Sequence, residues 1–396
     1  MKHQIQNSYS HKTAYFRLFL IFLYLGCTSF GGPAAHLGYF RQAFVEKRAW
    51  LSESQYASLV AMCQFIPGPA SSQVGLTVGL IRGGYLGALL AWLGFTLPSA
   101  LLLGAFAWGL PYWQDGEALK GITHGLKIVA VAVVAQAVWG MGKAFCKNVV
   151  TVTLMAVSCI TVLLLPHIAA QISVMLLAGL VGWMTLQETS EPRQQTLPFV
   201  LSHRAAGLWL LVFIGLLAAS LLFSDGHSLW GLATALFKTG SLVFGGGHVV
   251  LPLLQAQTVP LWLSNDTFLA GYGAAQAVPG PLFTFAAFLG TAANGLQGGM
   301  VALVSIFIPS FLLVFGLLPF WNSLSKQPKS RAALAGVNAA VVGLLLAALY
   351  QPVWVSAVHT PMDFALALLA FCALMFWKVP VWLVVLLAGF AGMYLV

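Results

Sequence analysis

The chain has 396 residues, of which 60% are hydrophobic and 7% are charged, and its mean hydropathy is +0.89. A soluble domain carries about 25% charged residues, so this composition excludes a soluble globule and predicts an all-α polytopic membrane protein. The net charge of +9 comes from Lys and Arg scattered near predicted helix ends, which indicates membrane topology and no nucleic-acid binding.

Long apolar segments follow one another along the chain, and several approach the roughly 20 residues that cross a bilayer as a helix. They lie at 85–110, 125–138, 149–165, 206–222, 300–320 and 365–376. The five cysteines lie in or beside such segments without metal-site spacing, and we interpret them as packing residues. The spacing of His, Asp and Glu also predicts no metal site, so we expect no cofactor.

The sequence contains an internal repeat, with one copy at 16–186 and the other at 230–396. Landmarks recur in the same order in both halves. The pairs are Phe30-Gly31-Gly32 with Phe244-Gly245-Gly246, Trp50-Leu51-Ser52 with Trp262-Leu263-Ser264, Gln64 and Pro67-Gly68-Pro69 with Gln276 and Pro279-Gly280-Pro281, Leu97-Pro98-Ser99 with Ile308-Pro309-Ser310, Leu119 and Gly121 with Leu334 and Gly336, and Val138-Trp139 with Val353-Trp354. Residues 187–229 between the halves hold a polar loop and one unpaired predicted helix.

The Lys and Arg bias alternates between the halves, which predicts that they are inverted in the membrane. Lys143 and Lys147 follow a predicted span, whereas the matching place in the second half holds His359 and Asp363. The loop at 325–331 has three basic residues where its counterpart has two acidic residues. The sequence therefore predicts an inverted-topology repeat, the architecture of many secondary transporters, with the tail at 1–15 in the cytoplasm.

Each half has two predicted breaks, one at a Gly-Gly motif and one at a Pro-Gly-Pro motif. Broken backbone is tolerated at membrane depth only where it is buried in protein or faces a watery cavity. Gly lets the chain turn there, and Pro starts the next helix, whose N-terminus carries about +0.5 charge and binds anions. The sequence therefore predicts broken or re-entrant helices that meet near the midplane and form an anion site. A packing role for the breaks is the alternative.

The predicted substrate-binding residues lie at these breaks or directly beside them. Hydroxyls just after the Pro-Gly-Pro motifs can donate hydrogen bonds, and the Gln side chains can orient ligand or brace the turn. Arg82 can attract an anion at a cavity mouth or anchor the chain at the interface. The set is Ser29, Gly31, Gly32, Pro33, Gln64, Pro67, Gly68, Pro69, Ser71, Ser72, Arg82, Gly245, Gly246, Gln276, Pro279, Gly280, Pro281 and Thr284.

Four further polar residues are candidates for coupling transport to a gradient. Lys127 lies inside an apolar segment, where a charge indicates function unless its side chain snorkels to the surface. His36 and His248 follow the Gly-Gly motifs, where each can titrate, bind substrate or serve as a structural side chain. Glu53 can take part in proton coupling, although its place after Ser52 also fits the start of a helix.

These motifs resemble the chromate ion transporter family in its long, two-domain form. The resemblance covers both halves and rests on SFGGPAAH (29–36), WLSESQYASLVAMCQFIPGP (50–69), GGYLGALLAWLGFTLPS (83–99), FGGGHVVLP (244–252) and GYGAAQAVPGP (271–281). It implies a bacterial inner-membrane protein that exports chromate, confers chromate resistance and is driven by the membrane potential or the proton gradient. Sulfate is a structural mimic of that substrate. The family pattern marks Gly31, Gly32, Pro33, Arg82 and the first Pro-Gly-Pro as functional candidates, and Gly247 replaces the Pro found at 33.

Three other readings compete with an exporter. A membrane enzyme would need buried acids or a nucleophile with its base, and the acidic residues lie mostly in loops or at helix ends. A cation transporter would usually carry a midplane carboxylate, and the sequence shows none. A passive anion channel, or a transporter of another oxyanion such as sulfate, stays open. Inverted-repeat transporters are often dimers, which makes a homodimer one expectation.

Overall fold

The structure is a computed structural model that describes residues 11–113, 117–165, 167–186, 201–222, 226–244, 250–324 and 327–393. Within these ranges the chain forms helices and no strand. The helices of the first half are α1 (His11–Thr28), α2 (Gly32–Arg41), α3 (Glu53–Phe65), α4 (Ala70–Trp113), α5 (Glu117–Phe145), α6 (Val149–Leu164) and α7 (Ile168–Thr185). After them comes α8 (His203–Leu222). The second half contains α9 (Leu229–Leu242), α10 (Val250–Thr258), α11 (Asn265–Ala277), α12 (Phe285–Leu317), α13 (Trp321–Leu324), α14 (Pro328–Ala348), α15 (Val355–Ala357), α16 (Pro361–Met375) and α17 (Val381–Gly392).

The Trp-Leu-Ser landmarks start equivalent helices in the two halves. Ser52 Oγ accepts a hydrogen bond from the backbone N–H of Gln55 at 3.2 Å, which caps α3. Ser264 Oγ accepts one from the N–H of Thr267 at 3.1 Å, which caps α11. A serine N-cap satisfies a backbone N–H that has no partner inside the helix, and this explains why both motifs end in Ser.

The helix α4 is a hairpin of two segments. Its 44 residues would reach about 66 Å if straight, more than twice the roughly 30 Å core of a bilayer. The backbone leaves helical geometry at Gly83 and at Gly84, which has a φ of 61° and a ψ of −155°. A Cβ added to Gly79 would overlap the carbonyl oxygen of Gly87, so the two segments touch backbone to backbone. Glycine is therefore required at the contact as well as at the turn.

The same turn occurs in α12, the counterpart of α4. Asn294 and Gly295 leave helical geometry, and Gly295 has a φ of 62° and a ψ of −161°. A Cβ on Gly290 would overlap the carbonyl oxygen of Gly298. Both long helices are thus hairpins with the same backbone geometry.

The chain also folds back where α1 ends. The ring of Phe22 on α1 lies 6.2 Å from that of Phe40 near the end of α2, and 5.2 Å from that of Phe44 just beyond it. Because residues on both sides of the break meet again, α2 runs back along α1. The hydroxyl of Tyr56 on α3 donates to the carbonyl oxygen of Leu37 at 2.6 Å, which holds the next helix against this hairpin.

The two halves are intertwined. α14 of the second half packs against α6 and α7 of the first, and α5 of the first packs against α16 and α17 of the second. The second segments of the equivalent helices α4 and α12 run antiparallel, because Tyr85 meets Phe315 at 4.9 Å and Trp92, further along α4, meets Phe307, which comes earlier in α12, at 5.6 Å between ring centroids. Antiparallel equivalent helices are the geometry of an inverted repeat.

In the part of the chain that the structure describes, five helical stretches are long and apolar enough to cross a membrane. They are Ala70–Leu110, Lys120–Phe145, His203–Leu222, Leu282–Phe320 and Pro328–Ala357. α8 lies at the edge of the molecule and exposes apolar side chains such as Leu208, Leu211 and Leu222. Such a face is stable against lipid tails and not in water.

Candidate functional site

Two hydrogen bonds between the halves join each Pro-Gly-Pro motif to a residue just before a Gly-Gly motif of the other half. The backbone N–H of Gly68, in the first Pro-Gly-Pro motif, donates to the carbonyl oxygen of Val243 at 2.6 Å. The N–H of Gly280, in the second motif, donates to the carbonyl oxygen of Ser29 at 2.9 Å. Ser29 and Val243 are equivalent residues of the repeat, since each precedes a Phe-Gly-Gly landmark. The two bonds are therefore a reciprocal pair related by the repeat.

Each Pro-Gly-Pro turn also packs against a serine of the other half. Gly68 has a φ of 120°, and a Cβ added there would lie 2.6 Å from Ser310 Oγ. Gly280 has a φ of 98°, and its added Cβ would lie 2.8 Å from Ser99 Oγ. Ser99 and Ser310 end the equivalent Leu-Pro-Ser and Ile-Pro-Ser landmarks. Positive φ and close contact both require Gly here, which explains why these motifs recur together.

Two helices of the first half begin at the breaks and turn their first N–H groups toward them. The backbone N–H of Gln73 donates to the carbonyl oxygen of Pro69 at 2.9 Å, so the three N–H groups before it precede the first bond of α4. α2 begins after Gly31, which has a φ of 100° and gives the helix no side-chain cap. Helix N-termini of this kind favour an anion.

A buried polar cluster lies beside these N-termini and includes Ser29, His36, Ser71, Ser72 and Gln73. His36 Nε2 donates to the carbonyl oxygen of Ser29 at 3.1 Å, so in a neutral imidazole Nδ1 accepts from Ser71 Oγ at 3.4 Å. Gln73 Nε2 donates to the carbonyl oxygen of Pro67 at 2.6 Å and holds the turn closed.

Several polar atoms of this region have no hydrogen-bond partner among the described residues. They are Ser29 Oγ, Ser72 Oγ, Gln73 Oε1 and Gln276 Nε2. A buried polar atom without a partner costs about 1–3 kcal/mol, so the two Ser hydroxyls and the Gln276 amide suit a ligand that accepts hydrogen bonds, whereas Gln73 Oε1 needs a donor.

Most of the cluster has no polar counterpart in the second half, although Ser72 corresponds to the buried Thr284. In the register of the repeat, His36 corresponds to Val250, Ser71 to Phe283, and Gln73 to Phe285. These three counterparts are all fully buried apolar side chains. The two Pro-Gly-Pro turns thus share a positive φ at their glycine but differ in the chemistry around them, which extends the difference seen in the sequence, where Gly247 occupies the position equivalent to 33.

The remaining predicted residues at the breaks differ in their surroundings. Gln64 is exposed, whereas its counterpart Gln276 is half-buried. The hydroxyl of Thr284 donates to the carbonyl oxygen of Pro281 at 2.7 Å and so braces its own turn. Pro279 is buried next to Gly280. Three predicted residues, Gly245, Gly246 and His248, lie outside the described residues, as does the side chain of Pro33. Gly32 starts α2 with a φ of 77°.

Arg82 is not brought together with the breaks. It lies exposed at the turn of the α4 hairpin, twelve residues after Ala70, which is about 18 Å along a helix. Its guanidinium carbon lies 4.9 Å from the centroid of the Trp50 ring. This cation–π contact favours the anchoring role that the sequence analysis left open.

Three of the four coupling candidates, His36, Glu53 and Lys127, lie among the described residues, and each contacts another side chain. The exposed carboxylate of Glu53 accepts a hydrogen bond from Arg41 Nε at 2.7 Å, and this bond raises the pKa of Arg41. Lys127 Nζ donates to Asp266 Oδ1 at 3.0 Å and so joins α5 to α11 of the other half. Of these three candidates, His36 alone lies at the breaks.

Sequence reasoning missed several residues that the structure places at interfaces between the halves. Gln73 directly follows Ser71 and Ser72 and precedes an apolar run, and its place just after the Pro-Gly-Pro motif could have marked it. Ser99 and Ser310 belong to landmarks of the repeat, but the sequence does not indicate that they contact the Pro-Gly-Pro turns of the other half. His124 lies on α5 one helical turn before Lys127, and its Nε2 lies 2.8 Å from Asp363 Oδ1. This contact is a second link between the halves, and no motif in the sequence indicates it. Among the described residues, no group of three or more His, Cys, Asp or Glu could hold a metal ion.

Comparison with known proteins gives matches along nearly the whole chain. A chromate transport protein of Pseudomonas aeruginosa is 29% identical over 96% of this chain and 92% of that protein. A probable chromate transport protein of Synechococcus elongatus is 28% identical over 94% of this chain and 93% of that protein. A chromate transport protein of Cupriavidus metallidurans is 27% identical over 89% of this chain and 85% of that protein. No solved structure matches the chain.

The sequence model of the chromate transporter family matches the chain twice, over residues 16–183 and 230–393. Two matches in tandem support a chain of two repeated halves. Together with the apolar helices, they identify a multi-pass membrane protein of a transporter family. Because the matches cover both halves, the chain belongs to the chromate transporter family.

Proposed function

We propose that the chain exports chromate across the bacterial inner membrane, confers chromate resistance and binds its substrate where the four breaks meet. The observation that carries this proposal is the reciprocal pair of bonds from Gly68 to Val243 and from Gly280 to Ser29, with the buried polar cluster beside it. The relatives named as chromate transport proteins supply the substrate, a tetrahedral oxyanion that sulfate resembles.

The chemistry of the cluster suits such a substrate. An oxyanion accepts hydrogen bonds and donates none, so it needs N–H and O–H groups directed at it. The first N–H groups of α4 and the hydroxyl of Ser72 can supply them, as can the hydroxyl of Ser71 once it turns from His36 Nδ1 to the substrate, while the helix N-termini stabilise negative charge without a fixed cation. A site built from dipoles binds a dianion and still releases it, as transport demands.

The place of the site in the membrane follows from the proposed topology. The tail at 1–15 is cytoplasmic, 16–186 and 230–396 form the inverted halves, and 187–229 supplies the additional crossing. The hairpins α1–α2 and α3–α4 enter and leave on one side as re-entrant pairs, so their breaks lie near the midplane. The reciprocal bonds between the halves then close around the substrate and must change when the halves rock against each other.

The driving force follows from the charge of the substrate. One elementary charge moved across 100 mV is worth about 2.3 kcal/mol, so a dianion gains about 4.6 kcal/mol when an inside-negative potential expels it. The pairs Lys127–Asp266 and His124–Asp363 link α5 to the other half and are the places where a proton could couple to this movement. The substrate and the membrane potential are sufficient for export without such coupling.

The test is chromate flux in proteoliposomes, with the membrane potential and the pH gradient imposed separately and sulfate as competitor. The variant is Ser71→Ala/Ser72→Ala, and the matched control is Ser158→Ala, a buried serine on α6 away from the breaks. We expect saturable flux that sulfate inhibits, which the double variant loses and the control keeps. Flux that is equal in all three proteins would contradict the site. Flux that does not saturate would indicate a passive channel, and flux of sulfate but not chromate would indicate a different oxyanion transporter.

A further inference from the structure

A polar cavity lies on the seam where the halves interlock, and none of its lining residues belongs to the breaks. Its volume is about 570 Å³, and it is enclosed by the end of α5, the start of α6, the end of α7 and the start of α14. Its polar lining includes Lys147, Asn148 and Thr151 from the first half and Arg331 and Asn338 from the second. Both halves therefore contribute to one cavity.

The cavity is cationic. Lys147 and Arg331 line it, and no acidic side chain of the described residues does. Asn338 is 92% buried, and its Oδ1 has no hydrogen-bond partner among the described residues. Its amide can turn to present its N–H₂ group instead, because the two ends of the amide have nearly the same shape. Two cations and a free amide are the groups that bind a phosphate.

The mouth of the cavity has the features of a membrane–water interface. Lys143 Nζ lies 4.9 Å from the ring centroid of Trp139, and both residues lie close in sequence to the lining of the cavity on α5. Lys329 Nζ lies 4.6 Å from the ring centroid of Trp183, next to the α14 and α7 linings. Both tryptophans are exposed. Exposed Trp with Lys beside it is typical of the headgroup region of a bilayer.

The equivalent place in the other half is chemically different. Asn148 and Thr151 form a capping box at the start of α6, and their counterparts Thr360 and Asp363 form one at the start of α16. There the carboxylate of Asp363 contacts His124 at 2.8 Å. One end of the molecule thus holds an acid paired with a histidine, and the other holds an open cationic cavity. The Lys and Arg bias places the cationic end on the cytoplasmic side.

We propose that this cavity binds the phosphate of an anionic phospholipid from the cytoplasmic leaflet. The volume exceeds the needs of a bare tetrahedral anion and falls in the range of sites for larger ligands, about 300–1,000 Å³. Basic cavities between membrane helices on the cytoplasmic side bind anionic head groups, and the leaflet supplies them at high local concentration. Lys147 and Arg331 contact the phosphate from opposite halves, so the lipid joins the two halves at this seam.

The test is thermal unfolding of the delipidated protein in detergent, titrated with phosphatidylglycerol, phosphatidylcholine or inorganic phosphate. The variants are Lys147→Gln/Arg331→Gln and the single Lys147→Gln, which changes an exposed residue and leaves folding intact. The matched control is Lys47→Gln/Arg204→Gln, which removes the same two charge types at exposed positions elsewhere. A ligand that binds the folded state raises Tm as its concentration rises.

We expect phosphatidylglycerol to raise the Tm of the wild type and the control by several degrees, with little effect of phosphatidylcholine. The double variant loses this shift, and the single variant needs more lipid to reach it. An equal phosphatidylglycerol shift in wild type and double variant would overturn the proposal. A full shift with inorganic phosphate alone, lost in the variants, would overturn the lipid assignment in favour of a free phosphate site. No transport is measured, so the result is independent of the proposed substrate site.

Discussion

Replacing Gly280 by Ala tests whether the reciprocal contact between the halves holds the site together. The new Cβ would lie 2.8 Å from Ser99 Oγ and 3.2 Å from the carbonyl oxygen of Phe95. It would also place a side chain on a residue with a φ of 98°. The backbone N–H must meanwhile stay in place to donate to Ser29.

The magnitude follows from these two effects. A positive φ costs a residue with a Cβ about 1–2 kcal/mol. Overpacking costs about 1–3 kcal/mol, and the low end applies because the nearest atom is a hydroxyl that can rotate away. We therefore expect Gly280→Ala to lower the free energy of unfolding by about 2–3 kcal/mol. Replacing Ser99 by Ala in the same chain should restore about 1 kcal/mol, which is the part due to the contact.

Thermal unfolding of the single and double variants in detergent gives this coupling, and chromate flux gives its effect on transport. Gly295→Ala is the matched control, since it introduces a Cβ at a φ of 62° with no other atom within 4 Å. The control is destabilised whether or not Ser99 is replaced. If the stability lost through Gly280→Ala is also the same with and without the Ser99 hydroxyl, the contact between the Pro-Gly-Pro turn and Ser99 contributes nothing to stability, and the reasoning fails.

Three further changes follow from the interfaces between elements. Asp363→Asn removes a carboxylate that accepts several hydrogen bonds at the start of α16, and we expect about 2–3 kcal/mol lower stability in chemical unfolding. Unchanged unfolding would refute this. Asp266→Ala leaves Lys127, whose side chain is 14% exposed, without the carboxylate of Asp266, which is 71% exposed, so we expect a loss of about 1 kcal/mol that shrinks in high salt. A larger, salt-independent loss would show that the pair behaves as a buried one. Gly290→Val forces a side chain onto backbone in the α12 hairpin, and we expect no folded protein by size-exclusion chromatography, whereas Gly140→Ala, with open space around it, folds normally.

The repeat and its breaks could be read from the sequence because they depend on local rules. Gly and Pro restrict or free the backbone wherever they stand, so the Pro-Gly-Pro motifs predicted the ends of α3 and α11. The inverted bias of Lys and Arg predicted the antiparallel arrangement of α4 and α12. These are properties of short segments and of composition, which a single sequence displays directly.

The pairing between the halves could not be predicted, because it depends on contacts between residues far apart in the chain. Nothing near Gly68 indicates that its N–H donates to Val243, and nothing near Gly280 indicates Ser99. The one-sided chemistry of the site was also hidden. The sequence shows that His36 follows a Gly-Gly motif, but not that the equivalent residue, Val250, is a buried apolar side chain. That difference makes the polar chemistry at His36 specific to the first half. Arg82 was included because a cation attracts an anion, but the length of α4 carries it away from the breaks.

The measurement that tests the central claim most directly is equilibrium binding of radiolabelled chromate to the purified protein. Each hydrogen bond to a charged group is worth about 1.5–3 kcal/mol, and about 1.4 kcal/mol changes Kd tenfold. We therefore expect Ser71→Ala/Ser72→Ala to raise the Kd at least about tenfold, with sulfate competing in the wild type and Ser158→Ala binding as the wild type does. An unchanged Kd in the double variant, with the protein folded, would show that the breaks do not form the anion site.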